Sequence, residues 1–289
     1  MKILVTGANG YIGTGVVNTL LSFKQEVIAT DFCVDGINKD AKLIEGNIFE
    51  IEDPFNFFEK PDVVLHLAWR NGFVHNSVTH IDDLPKHYGF LNKLAESGVK
   101  KIVVLGSMHE IGFYEGKIQS NTPCNPQSLY GISKNALRSA CELICKKNNV
   151  GFQWIRGFYI VGNSEKGSSI FSKITLAEKE GKKEFPFTTG VNQYDFIDYE
   201  IFCNQIGHVT INETVFGIIN CCSGKPESLA NRVERFIKDN GYKIKLCYGA
   251  FPDRPYDSLA LWGENKTIQQ IIEDNKKLNS SFSENVLIR

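Results

Sequence analysis

Short apolar runs alternate with longer stretches of helical character through the first half of the chain. The runs at 2–6, 26–30, 62–67, 101–106 and 152–157 predict buried strands, and the stretches near 12–23, 83–97 and 128–148 predict helices. Strands alternating with helices predict a parallel, doubly wound α/β sheet. Beyond residue 160 the pattern is mixed: 168–181 and 228–240 read as helices and 216–220 as a strand expected to return to the main sheet. An amphipathic helix follows over 264–278 with Ile268, Ile271 and Ile272 inward, and the last ten residues, rich in Ser and Asn, predict a loosely attached tail. The expected organisation is a dinucleotide-binding unit over 1–160 and a smaller, mainly substrate-binding lobe over 161–289.

The first strand-to-helix junction carries the first chemistry. KILVT is followed by Gly7, Gly10 and Gly13 in G-x-x-G-x-x-G spacing, then by Val16, Val17, Leu20 and Leu21 at helical period. Strand, glycine turn and helix is the context that a dinucleotide fingerprint needs. Gly7 permits the tight turn, Gly10 lets backbone approach a pyrophosphate, and Gly13 lets helix pack on strand. The free N–H groups of the helix start would face the anion. A glycine turn without ligand is the competing reading. The second strand, EVIATD, ends in Asp31, whose carboxylate can accept from ribose hydroxyls and would repel a 2′-phosphate. NAD(H) is therefore favoured. Lys39 and Lys42 nearby keep NADP(H) open, and a plain turn role for Asp31 is the alternative.

Tyr130 and Lys134 lie one helical turn apart in SLYGISK, so they share a face. A phenol has an unperturbed pKa of about 10. An adjacent ammonium would stabilise the phenolate and let the side chain pass a proton nearer neutrality. By itself the spacing also fits an exposed helical face.

These segments together resemble the extended short-chain dehydrogenases/reductases, the family of nucleotide-sugar epimerases, dehydratases and 4-ketoreductases. TGANGYIG is similar to the family's TGxxGxxG, GNIFE (46–50) to its GDxxD with Asn47 for Asp, and HLAW (66–69) to HLAA. VVLGSMHEIG (103–112) resembles the strand that carries the catalytic serine, here Ser107, and YGISK is close to YxxSK. IRGFYIVG (155–162) resembles LRxFNxxG with Tyr159 for Asn, and YDFID (194–198) resembles RDFIH with Tyr194 for Arg and Asp198 for His. INCCSGKPESL (219–229) and RPYD (254–257) match later family segments.

The resemblance implies a Rossmann-type sheet with a smaller C-terminal lobe, and a catalytic set of Ser107, Tyr130 and Lys134. Tyr130 would exchange a proton with the carbonyl or alcohol oxygen, Ser107 would position that oxygen, and Lys134 would lower the tyrosine pKa and hold the nicotinamide ribose. Gly7, Gly10, Tyr11, Ile12, Gly13, Asp31, Asn47, Ile48, Leu67, Ala68 and Lys134 would bind the cofactor. Trp69, His109, Tyr159 and Tyr194 would meet the substrate, and Arg254 would take its diphosphate, because a guanidinium fork matches phosphate oxygens. Asp257 reads better as structural, and loss of the usual Arg at Tyr194 puts one phosphate contact in doubt. Ser107 as an acyl nucleophile is a poor alternative, since no histidine is an obvious base and G-x-S-x-G is absent.

Family dehydratases carry an acidic pair after the serine or threonine, where this chain has Met108 and His109, so dehydration is disfavoured. The compact length, the Met108-His109 pair and HLAWRNG resemble the family's 4-ketoreductases, which implies NAD(P)H-dependent reduction of the C4 ketone of a nucleotide-linked 4-keto-6-deoxyhexose. The nucleotide is expected to be dTDP, with GDP and CDP as alternatives. Such sugars serve bacterial surface polysaccharides, lipopolysaccharide among them. A nucleotide-sugar 4-epimerase is the first alternative, and a non-catalytic dinucleotide sensor or scaffold the second.

Composition adds boundaries. The 289 residues can bury a large core. A net charge of −1 argues against nucleic acid as a partner. No long apolar run predicts a membrane span, and the strand beginning at residue 2 leaves no signal-peptide pattern, so a cytoplasmic enzyme is expected. Eight cysteines show no CxxC and no ligand spacing with histidine, and His75, His80 and His87 are too irregular to suggest a metal. By family analogy a homodimer forms through the helices near 83–97 and 128–148.

Overall fold

A computed structural model describes residues 1–162, 167–252 and 258–286, the last nine of these as backbone alone. In chain order the elements are β1 (Lys2–Thr6), α1 (Gly13–Ser22), β2 (Glu26–Asp31), β3 (Lys42–Glu45), α2 (Pro54–Phe57), β4 (Val63–His66), α3 (Thr79–Glu96), β5 (Lys101–Ser107), β6 (Gly116–Ile118), α4 (Leu129–Lys147) and β7 (Gly151–Gly157). They continue with β8 (Tyr159–Val161), α5 (Ile170–Lys179), β9 (Glu184–Pro186), β10 (Gln193–Asp198), α6 (Tyr199–Ile211), β11 (Gly217–Cys221), β12 (Pro226–Ser228), α7 (Leu229–Asp239), β13 (Lys245–Cys247), β14 (Ala260–Gly263) and α8 (Lys266–Val286).

Seven strands form one parallel sheet in the order β11-β7-β5-β4-β1-β2-β3. The order reverses between β1 and β4, and in open α/β sheets ligands bind at the carboxyl ends of the strands at such a switch point. The apolar runs form central strands because both sheet faces are covered. On one face Val16, Val17 and Leu20 of α1 pack with Phe202, Ile206 and Val209 of α6 and with Ile268 and Ile271 of α8. On the other, Leu91 and Leu94 of α3 pack with Leu137, Cys141 and Ile144 of α4 over Trp154.

After β7 the chain divides its time between two layers. α6, β11 and α8 lie on the main sheet, while β10 pairs with β8, β12 and β14 in a smaller sheet around its own core, which includes Phe171, Tyr194, Phe196 and Phe236. The short strands β6, β8, β9 and β12–β14 have no sequence signal of their own: most are three residues long and depend on tertiary pairing. The helical backbone of α8 runs through Val286, beyond the expected end at 278 and into the segment expected as a loose tail.

Candidate active site

The glycine turn is held in shape from three sides. Gly7 has φ +68°, and a Cβ there would sit 2.6 Å from the Ala68 nitrogen, so only glycine lets the turn lie against the Leu67–Ala68 backbone. A Cβ on Gly13 would overlap the Gly7 carbonyl oxygen, which is the close helix–strand approach expected from the spacing. Asp31 closes the third side: its carboxylate accepts the Asn9 N–H at 2.9 Å and the Phe32 N–H at 2.8 Å. The same side chain that would meet a ribose therefore also fixes the turn.

The remaining expected cofactor residues divide by what their side chains do. Ile12 packs against the core at the start of α1, and the Tyr11 hydroxyl donates to the Gly162 carbonyl at 2.7 Å. Leu67 and Ile48 are buried in the two cores, so a ligand would meet their backbone. The Asn47 amide oxygen, expected at an adenine amino group, accepts the Phe49 N–H at 3.2 Å and caps a single 3₁₀ turn.

Ser107 ends β5 and begins a capping box. Its hydroxyl oxygen accepts the His109 N–H at 3.2 Å, while the Glu110 carboxylate reaches back to the Ser107 N–H at 3.2 Å. Glu110 is fully buried, accepts from the Trp154 indole at 2.8 Å and lies 3.5 Å from both Arg138 and Arg156. A paired, hydrogen-bonded carboxylate of this kind holds the serine rigidly at the strand end. Sequence reasoning passed over Glu110; the S-x-x-E spacing at 107–110 is the signal that would have found it.

Tyr130 enters from the first turn of α4 with its phenol close to Ser107. Burial pushes its phenol up to about 12, the nearby Ser107 hydroxyl opposing and the Glu110 carboxylate adding to the rise. Lys134, expected to draw this phenol toward neutrality, is engaged by two other groups. The Lys134 ammonium donates to the Leu105 carbonyl at 2.7 Å and lies over the Trp69 ring, 3.9 Å from its centroid against 5.9 Å for the Tyr130 ring. Burial in turn pulls Lys134 down to about 7, opposed by Glu110 and Cys141. At neutral pH the tyrosine is a protonated donor.

An aromatic wall surrounds this trio. His109 lies 4.3 Å from the His75 ring, 6.0 Å from Tyr130 and 6.4 Å from Tyr159, all between centroids, and Tyr159 lies 4.7 Å from Tyr194. Trp69, His109 and Tyr159 are thus brought to Tyr130 or its neighbours, whereas Tyr194 is mostly buried in the lobe core. Met108 is buried in that core too. Arg254 and Asp257 lie outside the described residues. The irregularly spaced histidines enter the site as ring contacts: His75 stacks on Tyr130 at 5.5 Å and 11°, His80 meets it at 5.3 Å, and His87 stacks on Trp69 at 4.5 Å. Their spacing carried no signal because a loop and the start of α3 fold together to assemble them. Among the described residues no group of three His, Cys, Asp or Glu side chains is placed to hold a metal ion.

The NAD dependent epimerase/dehydratase family matches residues 3–204, a span that runs from the glycine turn through the Ser-Tyr-Lys set to α6. The chain belongs to that family. Within it, the chain is 44% identical over 271 residues to dTDP-6-deoxy-L-talose 4-dehydrogenase (NAD(+)) of Aggregatibacter actinomycetemcomitans, covering 91% of this chain and 99% of the relative. Solved family structures share the fold. The UDP-glucose 4-epimerase of Thermotoga maritima with UDP-glucose superposes with TM-score 0.80 at 19% identity, covering 93% of this chain and 92% of that one. The UDP-glucuronic acid 4-epimerase of Bacillus cereus, in complex with UDP-glucuronic acid and NAD, gives 0.79 at 19% identity over 94% and 93%.

Proposed function

We propose that this chain transfers hydride between NAD and C4 of a dTDP-linked 6-deoxyhexose, acting in biosynthesis as a 4-ketoreductase. The observation that carries the reading is the joining of Ser107, Tyr130 and Lys134 at the carboxyl end of β5, on the side of the sheet where the glycine turn and Asp31 also lie. The turn fits a dinucleotide: Gly7 and Gly13 let strand, turn and helix backbone pack where any Cβ would collide, and Asp31 ends β2 only partly buried. Reduction of a C4 ketone and oxidation of a C4 alcohol are one reaction in two directions. The name of the 44% identical relative therefore supports the nucleotide, the carbon and NAD alike.

In the reducing direction NADH, held by the glycine turn and Asp31, would supply the hydride. Tyr130 gives its phenolic proton to the ketone oxygen as the alcohol forms. Ser107 hydrogen-bonds the same oxygen and fixes its position. Lys134, when cationic, offsets the charge of the phenolate left behind. Trp69, His109, Tyr159 and His75 wall the sugar. Met108, packed away in the lobe core, supplies no acid for dehydration. The retention of Ser107 and Tyr130 side by side, with Lys134 on the same helix, favours an enzyme over a dinucleotide sensor.

The test follows reduced-nicotinamide absorbance with purified protein, NADH and NADPH in parallel, and dTDP-4-keto-6-deoxyglucose. Sugar-dependent oxidation is expected, faster with NADH, and reduced about 10²–10⁴-fold in Tyr130→Phe. No oxidation with dTDP-, GDP- or CDP-linked ketosugars would reject the reading. Bound NAD that co-purifies and turns over UDP-hexoses would establish the 4-epimerase instead. We place the enzyme in the cytoplasm; no described helix is long and apolar enough to cross a membrane. A homodimer through α3 and α4 is supported by the exposed Ile81, Tyr88, Ile132 and Leu143, and light scattering giving a monomer would refute it.

A further inference from the structure

The position that follows HLA brings an indole to the buried amine. Lys134 is 3% exposed, and its ammonium has two neighbours of suitable character: the Leu105 carbonyl at 2.7 Å and the face of Trp69 at 3.9 Å. That second contact is within the range in which a ring quadrupole attracts a cation, and it strengthens when the cation is desolvated. The indole is not free to leave. Its Nε1–H donates to His80 Nδ1 at 3.0 Å, which leaves His80 Nε2–H to donate to the Val74 carbonyl at 3.0 Å, and the far side of the indole environment is fixed by the His87 stack at 16°. His87 is itself bonded to His66 at 2.8 Å, and His66 to Thr6 at 2.8 Å, so the shelf is anchored to β1 and β4.

We propose that Trp69 is a positioning residue for Lys134, holding the buried amine in its charged form beside Tyr130 through the indole face. The proposal rests on the enzymatic reading only for its consequence in turnover; the charge state itself is a property of the protein alone.

The charge balance around Lys134 shows why an aromatic partner matters. From its own helix Lys134 faces Tyr130 and Cys141, both neutral at pH 7 with their pKa values raised by burial. From the turn after β5 it feels Glu110, which favours the ammonium but is already paired with Arg138 and Arg156. From β4 and α3 come His66 and His87, both held neutral by burial and by the nearby ammonium. None of these groups is an ion dedicated to Lys134. The Trp69 face supplies attraction without a formal charge, so Tyr130 gains no anionic neighbour that would oppose its ionisation.

The decisive measurement is the titration of Lys134 in protein carrying ¹³Cε-labelled lysine, its resonance assigned through Lys134→Arg. Trp69→Leu keeps an apolar side chain and removes the ring. Loss of a cation–π contact is expected to lower the midpoint by about half to one pH unit. Trp69→Phe, with a weaker face, should fall between. Fluorinated tryptophan placed at position 69 alone keeps the shape while drawing electron density from the ring, and the midpoint should fall stepwise with each added fluorine. This arm stands even where Trp69→Leu fails to fold. An unchanged midpoint across the fluorinated series would overturn the proposal and leave Trp69 a packing residue. With substrate, the limb of the pH–rate profile that follows Lys134 should move with the midpoint. A moving midpoint with no turnover on any ketosugar would reject the proposed reaction but keep the Trp69–Lys134 pair.

Discussion

The Tyr130 backbone N–H donates to the His75 carbonyl at 2.8 Å, so the loop that follows β4 caps the helix that carries Tyr130 and Lys134. The neighbouring Asn76 Oδ1 accepts the Leu129 N–H at 3.3 Å, and Ser128 Oγ accepts that of Gly131 at 3.2 Å. Three donors of the first turn, which no helix can satisfy internally, are thereby met. Asn76→Ala should cost about 1 kcal/mol of stability, as other capping losses do, and should lower turnover more than it raises the KM for NADH. Asn76→Asp, which keeps the acceptor, should restore both. Urea midpoints and steady-state rates for the two variants check this. Equal losses in both would show that the cap does not set Tyr130.

The histidine shelf should make the cofactor-free protein acid-sensitive. Burial holds His66 well below its usual value and brings His87 and His109 to about 3. The unfolded chain binds these protons below about pH 6.5 while the folded protein does not. Stability is therefore unaffected above 6.5 and falls as pH drops from there toward 3. By pH 5 a single fully buried site such as His87 costs about 2 kcal/mol. Denaturant midpoints from pH 7.5 to 5 should fall, and fall less in His109→Phe, which removes one site. A midpoint independent of pH over that range would contradict the neutral assignment.

Asp31 has two duties, and its removal should show both. Asp31→Ala should reduce discrimination between NADH and NADPH at least about tenfold, because the carboxylate no longer repels a 2′-phosphate. It should also raise the KM for both cofactors, because the Asn9 N–H loses its acceptor. A change in preference with no common rise in KM would mean that the turn holds its shape without the carboxylate.

Gly13 should tolerate no side chain. A Cβ there meets backbone of Gly7 and Ala8, which cannot rotate away. Gly13→Ala should destabilise by about 1–3 kcal/mol and abolish dinucleotide binding measured by calorimetry. Gly46→Ala is the control, since a Cβ there meets nothing within 4 Å. Wild-type affinity in Gly13→Ala would show that the turn can shift.

The amino-acid pattern by itself determined every strand of the main sheet except β3, and it pointed to the residues of the candidate site. Buried parallel strands must be short apolar runs, a dinucleotide turn must spare the Cβ atoms at Gly7 and Gly13, and a Tyr–Lys pair one turn apart must share a face. These are local constraints, so they are written locally. Tertiary structure decided what depends on partners distant in sequence. The small strands of the lobe form only where distant partners receive them: β8, β12 and β14 on β10, β6 on β14, and β9 on β13. Glu110 acts through two arginines and a tryptophan from other elements, and the Trp69–His87 and His75–Tyr130 stacks join segments between 18 and 55 residues apart. The ionisation of Tyr130 and Lys134 belongs to the same class. Their spacing placed them together, but burial, which is a property of the finished fold, pushes the phenol up and the amine down and lays the amine against the Trp69 face.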